Sequence, residues 1–113
     1  MTGSNDRYQF TVFLGRNIPG GGTVTEELWR QFEEDVAAKA LIGLGFTVTA
    51  ARGGWSNPDT GELEREDSFV LVVIGEALDE AFAGASTVAR HYKRRFNQSQ
   101  VWITRAMVDL TII

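Results

Sequence analysis

The stretch over residues 45–75 most constrains what this chain can fold into, because it predicts a long β-hairpin. One arm, FTVTA, spans residues 46–50, and the other, FVLVVI, spans residues 69–74. Between them lies a turn-forming tip, NPDTG, in which Pro58 presets φ and Gly61 permits a positive φ. The second arm is apolar at every position, which is typical of a central strand covered on both faces.

Two helices and two further strands complete the predicted order. Alternating apolar and polar residues predict a first strand over residues 8–15 and a last strand over residues 100–113. Apolar residues at helical spacing predict helices over residues 24–40 and 77–96. The order β, α, β, β, α, β predicts an α+β fold of the ferredoxin-like type. This is a βαββαβ sandwich in which a four-stranded antiparallel sheet carries two helices on one face.

The length of the chain suits one domain. With 113 residues, of which 43% are hydrophobic, it can bury one modest core. We expect residues 1–7 to be a disordered N-terminal tail and residues 8–113 to form a single ferredoxin-like domain. No apolar run reaches the roughly 20 residues of a membrane span, and the first residues have no secretory signal. We therefore expect a cytoplasmic protein without membrane association.

Composition restricts the chemistry open to the chain. The absence of cysteine and the single histidine, His91, exclude thiol catalysis and any cysteine or multi-histidine metal site within one chain. No motif predicts a cofactor or a metal ion. The net charge of −4 disfavours nucleic acid, whose phosphates need a basic surface. Phe13 and Phe69 could stack on RNA bases, but the third strand lacks the basic-Gly-aromatic-Gly signature of such proteins.

Polar and aromatic residues gather at the shoulders of the predicted hairpin. Arg65 can hold a phosphate or carboxylate with both arms of its guanidinium, and Trp55 can stack on a planar ring. Glu66 can accept hydrogen bonds from a sugar or base, and Ser68 can donate one to an anion. Further cations are Arg16, Arg52 and Arg105. These residues predict a site for a small anionic ligand, such as a nucleotide or metabolite. A purely structural interpretation, with Arg65 paired to Glu66 and Trp55 covering the core, stays open.

Two other functions remain open on the sequence. A cofactor-free enzyme could act in a cavity between the sheet and the helices of a dimer. It would need a general base, for which His91, Glu66 and Asp109 are the candidates, near an oxyanion partner. No Ser–His–Asp, paired-carboxylate or metal-ligand spacing selects this function. The other alternative is a structural or protein-interaction module.

The sheet face that the helices would leave open predicts self-association. We expect this face to carry Phe13, Ile103, Met107 and one side of the strand at residues 69–74. An uncovered apolar patch of this kind usually marks an interface or a ligand cleft. We therefore predict a homodimer, formed by packing of the sheet faces or by pairing of edge strands.

Short motifs spread over most of the chain are similar to those of a known family. They are FLG at 13–15, Trp29 and Phe32, GFTV at 45–48, GGW at 53–55, REDS at 65–68, and YKRRF at 92–96 with Gln98 and Val101. In this order they resemble a group of small bacterial and phage proteins classified as a domain of unknown function. The segment LIGL at 41–44 stands where that family has a Phe-Pro pair. The resemblance implies a ferredoxin-like fold and no particular activity.

Overall fold

In the computed structural model, which describes residues 6–113, a four-stranded antiparallel sheet is combined with two helices. The strands are β1 (Asp6–Gly15), β2 (Phe46–Ala51), β3 (Gly54–Ser56), β4 (Leu63–Arg65), β5 (Ser68–Gly75) and β6 (Trp102–Asp109). The large sheet has the order β2-β5-β1-β6, and β3 and β4 form a separate two-stranded ribbon. β1 and β5 are therefore the central strands, which confirms the central position predicted for the apolar arm at residues 69–74.

Helix α1 covers residues 26–40 in three consecutive parts. Glu26–Phe32 is α-helical, Glu33–Ala37 has π-helical hydrogen bonding, and Ala38–Ala40 is again α-helical. Helix α2 is a continuous α-helix, Leu78–Arg95. Each helix connects two strands of the large sheet, so the predicted alternation of strands and helices is confirmed.

The core lies between the helices and one face of the sheet. Phe10, Val12 and Leu14 of β1 are buried, and alternate residues of β5 are buried with them. Because side chains alternate across a strand, these residues point to one face. Both helices contribute fully buried or nearly fully buried residues to the same cluster: Trp29, Phe32, Ala37, Ala81, Ala85, Val88, Ala89 and Tyr92.

The predicted hairpin is present and is interrupted near its middle. β2 and β5 pair antiparallel, and beyond the interruption β3 pairs antiparallel with β4. At the interruption Gly53 lies so close to the carbonyl oxygen of Glu66 that a Cβ atom would collide with it. At the tip, the N–H of Asn57 donates to the carbonyl oxygen of Glu62 at 2.8 Å, and Gly61 has φ +74°. The turn assigned to this tip is confirmed.

Strand β6 turns different side chains to the open face from those predicted. Trp102 lies directly opposite Phe13, whereas Ile103 and Met107 lie opposite residues of β1 that point towards the helices. Residues directly opposite in a sheet share a face. The placement of Ile103 and Met107 on the open face is therefore wrong, and Trp102 lies there with Phe13. Both alternating sets of β6 are mixed in polarity, so only the register with β1 decides between them.

The sheet begins earlier and ends earlier than the sequence pattern predicts. β1 starts at Asp6, which pairs with Asp109, the last residue of β6. Asp6 and Arg7 therefore belong to the sheet and not to the tail predicted over residues 1–7, because β6 supplies them with a strand partner. Residues 1–5 of that tail lie outside the described residues.

Among the helices described, none has the length and apolar character needed to cross a membrane. The cytoplasmic location stays a prediction.

Candidate functional site

The structure brings some of the predicted site residues together and separates others. Ser68 opens β5 and lies between Gly15 of β1 and Ala51 of β2. Arg105 lies opposite Phe10, which is five residues from Gly15 along β1 and hence about 17 Å away at roughly 3.3 Å per residue. Several of the predicted site residues therefore lie near the end of the sheet that contains Ser68. Arg105 does not reach it.

Trp55 and Arg65 lie on opposite faces of the β3–β4 ribbon. Trp55 is opposite Glu64, and Arg65 is opposite Gly54, the residue before Trp55. Because side chains alternate along a strand, Trp55 and Arg65 leave the ribbon in opposite directions. Trp55 is 46% exposed and does not cover the core. Within one chain, the two side chains therefore do not converge on a single ligand.

Backbone hydrogen bonds tie the hairpin shoulder to the end of β1. The N–H of Glu66 donates to the carbonyl oxygen of Gly53 at 3.1 Å, and the N–H of Gly53 donates to Asp67 Oδ1 at 3.3 Å. The carbonyl oxygen of Asp67 accepts from the N–H of Arg16 at 2.9 Å. The side chain of Glu66 is exposed, and no ion pair joins it to Arg65 among residues 6–113.

Arg16 is the predicted site residue that the fold positions most firmly. Its Nε donates to the carbonyl oxygen of Val24 at 2.9 Å, and its guanidinium carbon lies 4.3 Å from the centroid of the Phe69 ring. The residue is half-buried. Its two terminal nitrogens make no hydrogen bond or ion pair with any group in the described part of the chain. The result is a guanidinium held in place with its outer donors uncommitted.

Tyr92 forms a hydrogen bond with the residue before Arg16. Its buried hydroxyl group donates to the carbonyl oxygen of Gly15 at 2.7 Å. Burial raises the pKa of Tyr92 far above its ordinary value, because the phenolate would lose its hydration, and the nearby positive charge of Arg16 opposes that shift. Tyr92 is therefore neutral and serves as a fixed hydrogen-bond donor.

A groove begins at the aromatic residue on which Arg16 rests. Phe69 stacks on Trp29 with a centroid distance of 5.1 Å and an interplanar angle of 28°. The groove has a volume of ≈ 320 Å³ and runs between α1 and the edge strand β2. Its lining residues are Glu26, Trp29, Arg30, Glu33, Val48, Ala50 and Phe69. The volume lies in the lower part of the range of roughly 300–1,000 Å³ for small-molecule sites.

Both signs of charge border the groove. Glu33 accepts a hydrogen bond from the indole nitrogen of Trp29 at 3.2 Å, which orients its carboxylate. Glu26 and Arg30 are exposed, and neither forms an ion pair with another residue in the range 6–113. A ligand in the groove would meet carboxylate acceptors, guanidinium donors and the apolar wall formed by Val48 and Ala50.

Sequence reasoning missed this groove. Glu26, Arg30 and Glu33 follow each other at spacings of four and three residues, which places them on one side of a helix. That spacing is the signal that could have indicated a polar helix face with a function. It could not have revealed that the face borders β2, which is distant in sequence.

The candidate general bases do not meet. Glu66 lies in the hairpin, His91 is exposed on α2, and Asp109 ends β6. No group of three or more histidine, aspartate or glutamate side chains suited to hold a metal ion occurs among the described residues. The geometry around Arg16 therefore suits binding of an anionic group better than proton transfer.

Comparison with protein families gives one match. Residues 9–111 match the family described as "Protein of unknown function (DUF3574)". The chain belongs to the DUF3574 family. This confirms the membership of a family of unknown function to which the short motifs pointed. The curated proteins contain no match to this DUF3574 chain.

Solved structures resemble the DUF3574 chain in fold. A phage SAM lyase in the apo state has a TM-score of 0.67 at 19% identity, covering 95% of this chain and 85% of that one. A phage SAM lyase in complex with S-methyl-5′-thioadenosine has a TM-score of 0.62 at 16% identity, with 94% and 84% covered. The B. subtilis GlnK–ATP complex has a TM-score of 0.51 at 11% identity, with 98% and 89% covered. At these identities the likeness concerns the α+β fold alone.

Proposed function

We propose that this DUF3574 protein binds a small anionic ligand of the nucleotide class, with Arg16 as the anchor of the anionic group. The state of Arg16 carries the proposal. Its guanidinium is held by the carbonyl oxygen of Val24 and the ring of Phe69, while its outer nitrogens have no partner among residues 6–113. A fixed guanidinium loses little further side-chain entropy when it binds a phosphate or carboxylate with both arms.

The groove beside Phe69 suits the rest of such a ligand. The carboxylates of Glu26 and Glu33 can accept hydrogen bonds from ribose hydroxyls or an exocyclic amine, and Val48 and Ala50 can contact a base. Two of the structures of similar fold hold a compound with an adenosine moiety, S-methyl-5′-thioadenosine in one and ATP in the other. That chemistry supports an adenosine-containing ligand for this chain.

The hairpin shoulder provides additional cations near Arg16. The side-chain nitrogen of Asn17, the residue after Arg16, donates to the carbonyl oxygen of Arg65 at 3.1 Å, so Arg65 is held next to this segment. Arg52 follows the last residue of β2, which lies opposite Ser68. We assign Arg65 and Arg52 supporting roles in holding the anionic group. We assign none to Arg105, and none to Ser68, whose side chain shares the face of Val70 and points away from Arg16.

We also infer that the fold is of the ferredoxin-like type. The strand order β2-β5-β1-β6, the antiparallel pairing throughout and the two connecting helices support this topology. The β3–β4 ribbon then extends the hairpin between the second and third principal strands. In this arrangement the end of β1, the start of β5 and the start of α1 meet at one end of the sheet, where Arg16 lies.

Thermal unfolding with a ligand panel tests the binding proposal. The panel contains ATP, AMP, adenosine, S-methyl-5′-thioadenosine and inorganic phosphate. A ligand at about 100 times its dissociation constant raises the free energy of unfolding by roughly 2.7 kcal/mol. We expect stabilisation by ATP or AMP and a smaller effect of adenosine, which lacks the anionic group. A panel without any stabilising compound would contradict the proposal.

Two matched arginine variants locate the site. Arg16→Lys keeps the positive charge but loses the second arm of the guanidinium, and we expect it to weaken binding about tenfold or more, since a bidentate contact is lost. Arg105→Lys makes the same change on β6, outside the site, and should bind as the wild type does. Equal losses in the two variants would refute the role of Arg16.

Mass spectrometry of the recovered ligand separates binding from catalysis, and we expect the ligand unchanged.

A further inference from the structure

The sheet face turned away from the helices carries almost no charge. Its residues form rows across the four strands through the pairing register, and they are Trp102, Phe13, Val70, Thr49, Thr104, Thr11, Val72, Thr47, Ala106, Gln9, Ile74, Val108 and Arg7. In this set only Arg7 is charged, and it lies at one end of the face, where it pairs with Glu76 at 3.1 Å. Apart from Glu76, which pairs with Arg7 at that end, no aspartate or glutamate of the described chain adjoins these rows through the pairing register.

The most exposed apolar side chains of this face adjoin each other. Trp102 is 63% exposed and Phe13 is 38% exposed, and they lie directly opposite each other in β6 and β1. Val70 of β5 continues the same row. A contiguous apolar surface without charge is costly to leave in water and usually marks an interface.

The face is large enough for a specific interface. Four strands about 4.8 Å apart and about eight residues long, at roughly 3.3 Å per residue, cover on the order of 500 Å². Two such faces packed together bury on the order of 1,000 Å² in total, at which a specific protein–protein interface becomes plausible by size.

We propose that a second copy of this chain covers the face, with sheet packed against sheet. Two chains of net charge −4 repel each other, but the rows of residues that would meet in this arrangement contain no carboxylate. A two-fold axis would place each copy's Trp102–Phe13 row against the same surface of its partner. An anionic polymer fits poorly, because the only cation, Arg7, is already paired with Glu76.

The interface is independent of the proposed ligand site. Arg16 and the groove lie on the helix side of the sheet, whereas the Trp102–Phe13 row lies on the other side. Loss of self-association would therefore leave nucleotide binding intact, and failure of nucleotide binding would leave the oligomeric state unchanged. The two proposals can be tested apart.

Sedimentation equilibrium without ligand tests the proposal with a matched pair of variants. Trp102 and Met107 belong to the same strand and are both 63% exposed, but they point to opposite sides of the sheet. We expect the wild type to sediment at twice the chain mass of 12.5 kDa. Trp102→Glu should sediment as single chains, because it buries a carboxylate without a partner, and Met107→Glu should remain associated.

A second variant and a spectroscopic measurement protect the test against misfolding. Thr104→Glu changes an exposed residue of the same face and should also dissociate the assembly, with the helical circular dichroism of the wild type retained. In a Trp55→Phe background the remaining tryptophans are Trp29, which is buried, and Trp102, which is exposed. Acrylamide should quench the fluorescence of this protein weakly when the face is intact and strongly when Thr104→Glu dissociates it. A monomeric wild type at 100 μM, or equal behaviour of the Trp102 and Met107 variants, would overturn the proposal.

Discussion

The guanidinium carbon of Arg16 lies 4.3 Å from the centroid of the Phe69 ring. This contact joins the end of β1 to the start of β5, two strands that are adjacent in the sheet. Phe69 also stacks on Trp29, and this second contact connects Arg16 and Phe69 to α1. Three elements that are distant in sequence thereby fix one cation at one end of the sheet.

Replacing the ring under Arg16 tests whether Phe69 positions the cation. Phe69→Leu should lower the free energy of unfolding by about 2 kcal/mol, because the aromatic stack, the cation–π contact and part of the core packing are lost. It should also weaken nucleotide binding, because Arg16 loses its support. Phe82→Leu is the control, because Phe82 is half-exposed and its ring packs on Phe10, well before Arg16 along the strand β1. We expect a loss below about 1 kcal/mol with unchanged binding. Urea unfolding and ligand titration measure both effects.

The hydroxyl group of Tyr92 should stabilise the fold and make its stability depend on alkaline pH. Tyr92→Phe should lower the free energy of unfolding by about 1–2 kcal/mol at neutral pH, because the carbonyl oxygen of Gly15 loses its donor. In the wild type, burial raises the pKa of Tyr92 in the folded state, so the unfolded chain releases the phenolic proton first.

The sign of this pH effect follows from the raised pKa. The contribution of Tyr92 is fully present below the unfolded pKa of about 10 and is lost as pH rises above it, by up to about 1.4 kcal/mol per pH unit. Urea unfolding between pH 9 and 11 measures the slope. We expect a steeper fall for the wild type than for Tyr92→Phe, and parallel curves would contradict the assignment.

Gly53 is required by the interruption in the hairpin. Gly53→Ala places a Cβ atom against the carbonyl oxygen of Glu66, so one side of the hairpin must move. We expect a loss of about 1–3 kcal/mol and faster hydrogen exchange in the β3–β4 ribbon, whose pairing depends on this junction. Gly45→Ala is the matched control, because a Cβ there would meet nothing within 4 Å. Similar exchange rates in the two variants would count against this role.

Thr25 is the N-cap of α1, and Thr23, two residues before it, offers a matched control. The hydroxyl oxygen of Thr25 accepts from the N–H of Leu28 at 3.1 Å. Thr25→Ala should therefore destabilise the protein by about 1 kcal/mol, and Thr25→Ser should retain most of the stability. Thr23→Ala lacks this effect, since Thr23 is exposed and precedes the cap, and we expect a change within about 0.5 kcal/mol. Chemical denaturation at pH 7 distinguishes the three.

The order of elements was predictable because its signals are local. Apolar alternation within 8–15 and the continuous apolar run at 69–74 indicate strands without reference to the rest of the chain. The chemistry of Pro58 and Gly61 likewise indicates a turn without any distant partner. The short motifs also sufficed for the family, whose match covers residues 9–111.

The candidate site was predicted less well, for a geometric reason. Trp55 and Arg65 are close in the hairpin, but strand alternation sends their side chains apart. Arg105 has suitable chemistry, but its position opposite Phe10 keeps it away from the shoulder. Residue type indicates what a side chain can bind, whereas convergence of side chains depends on register.

The sequence by itself determined the strands, the helices, the hairpin and the family, because each depends on neighbouring residues or on their order. Tertiary structure alone decided that Arg16 rests on Phe69, that α1 and β2 enclose a groove, and that Trp102 rather than Ile103 faces away from the helices. The physical reason is that these outcomes depend on hydrogen-bond register and on packing between elements far apart in sequence. No local periodicity encodes which of two mixed faces of β6 is buried, since the pairing with β1 selects it.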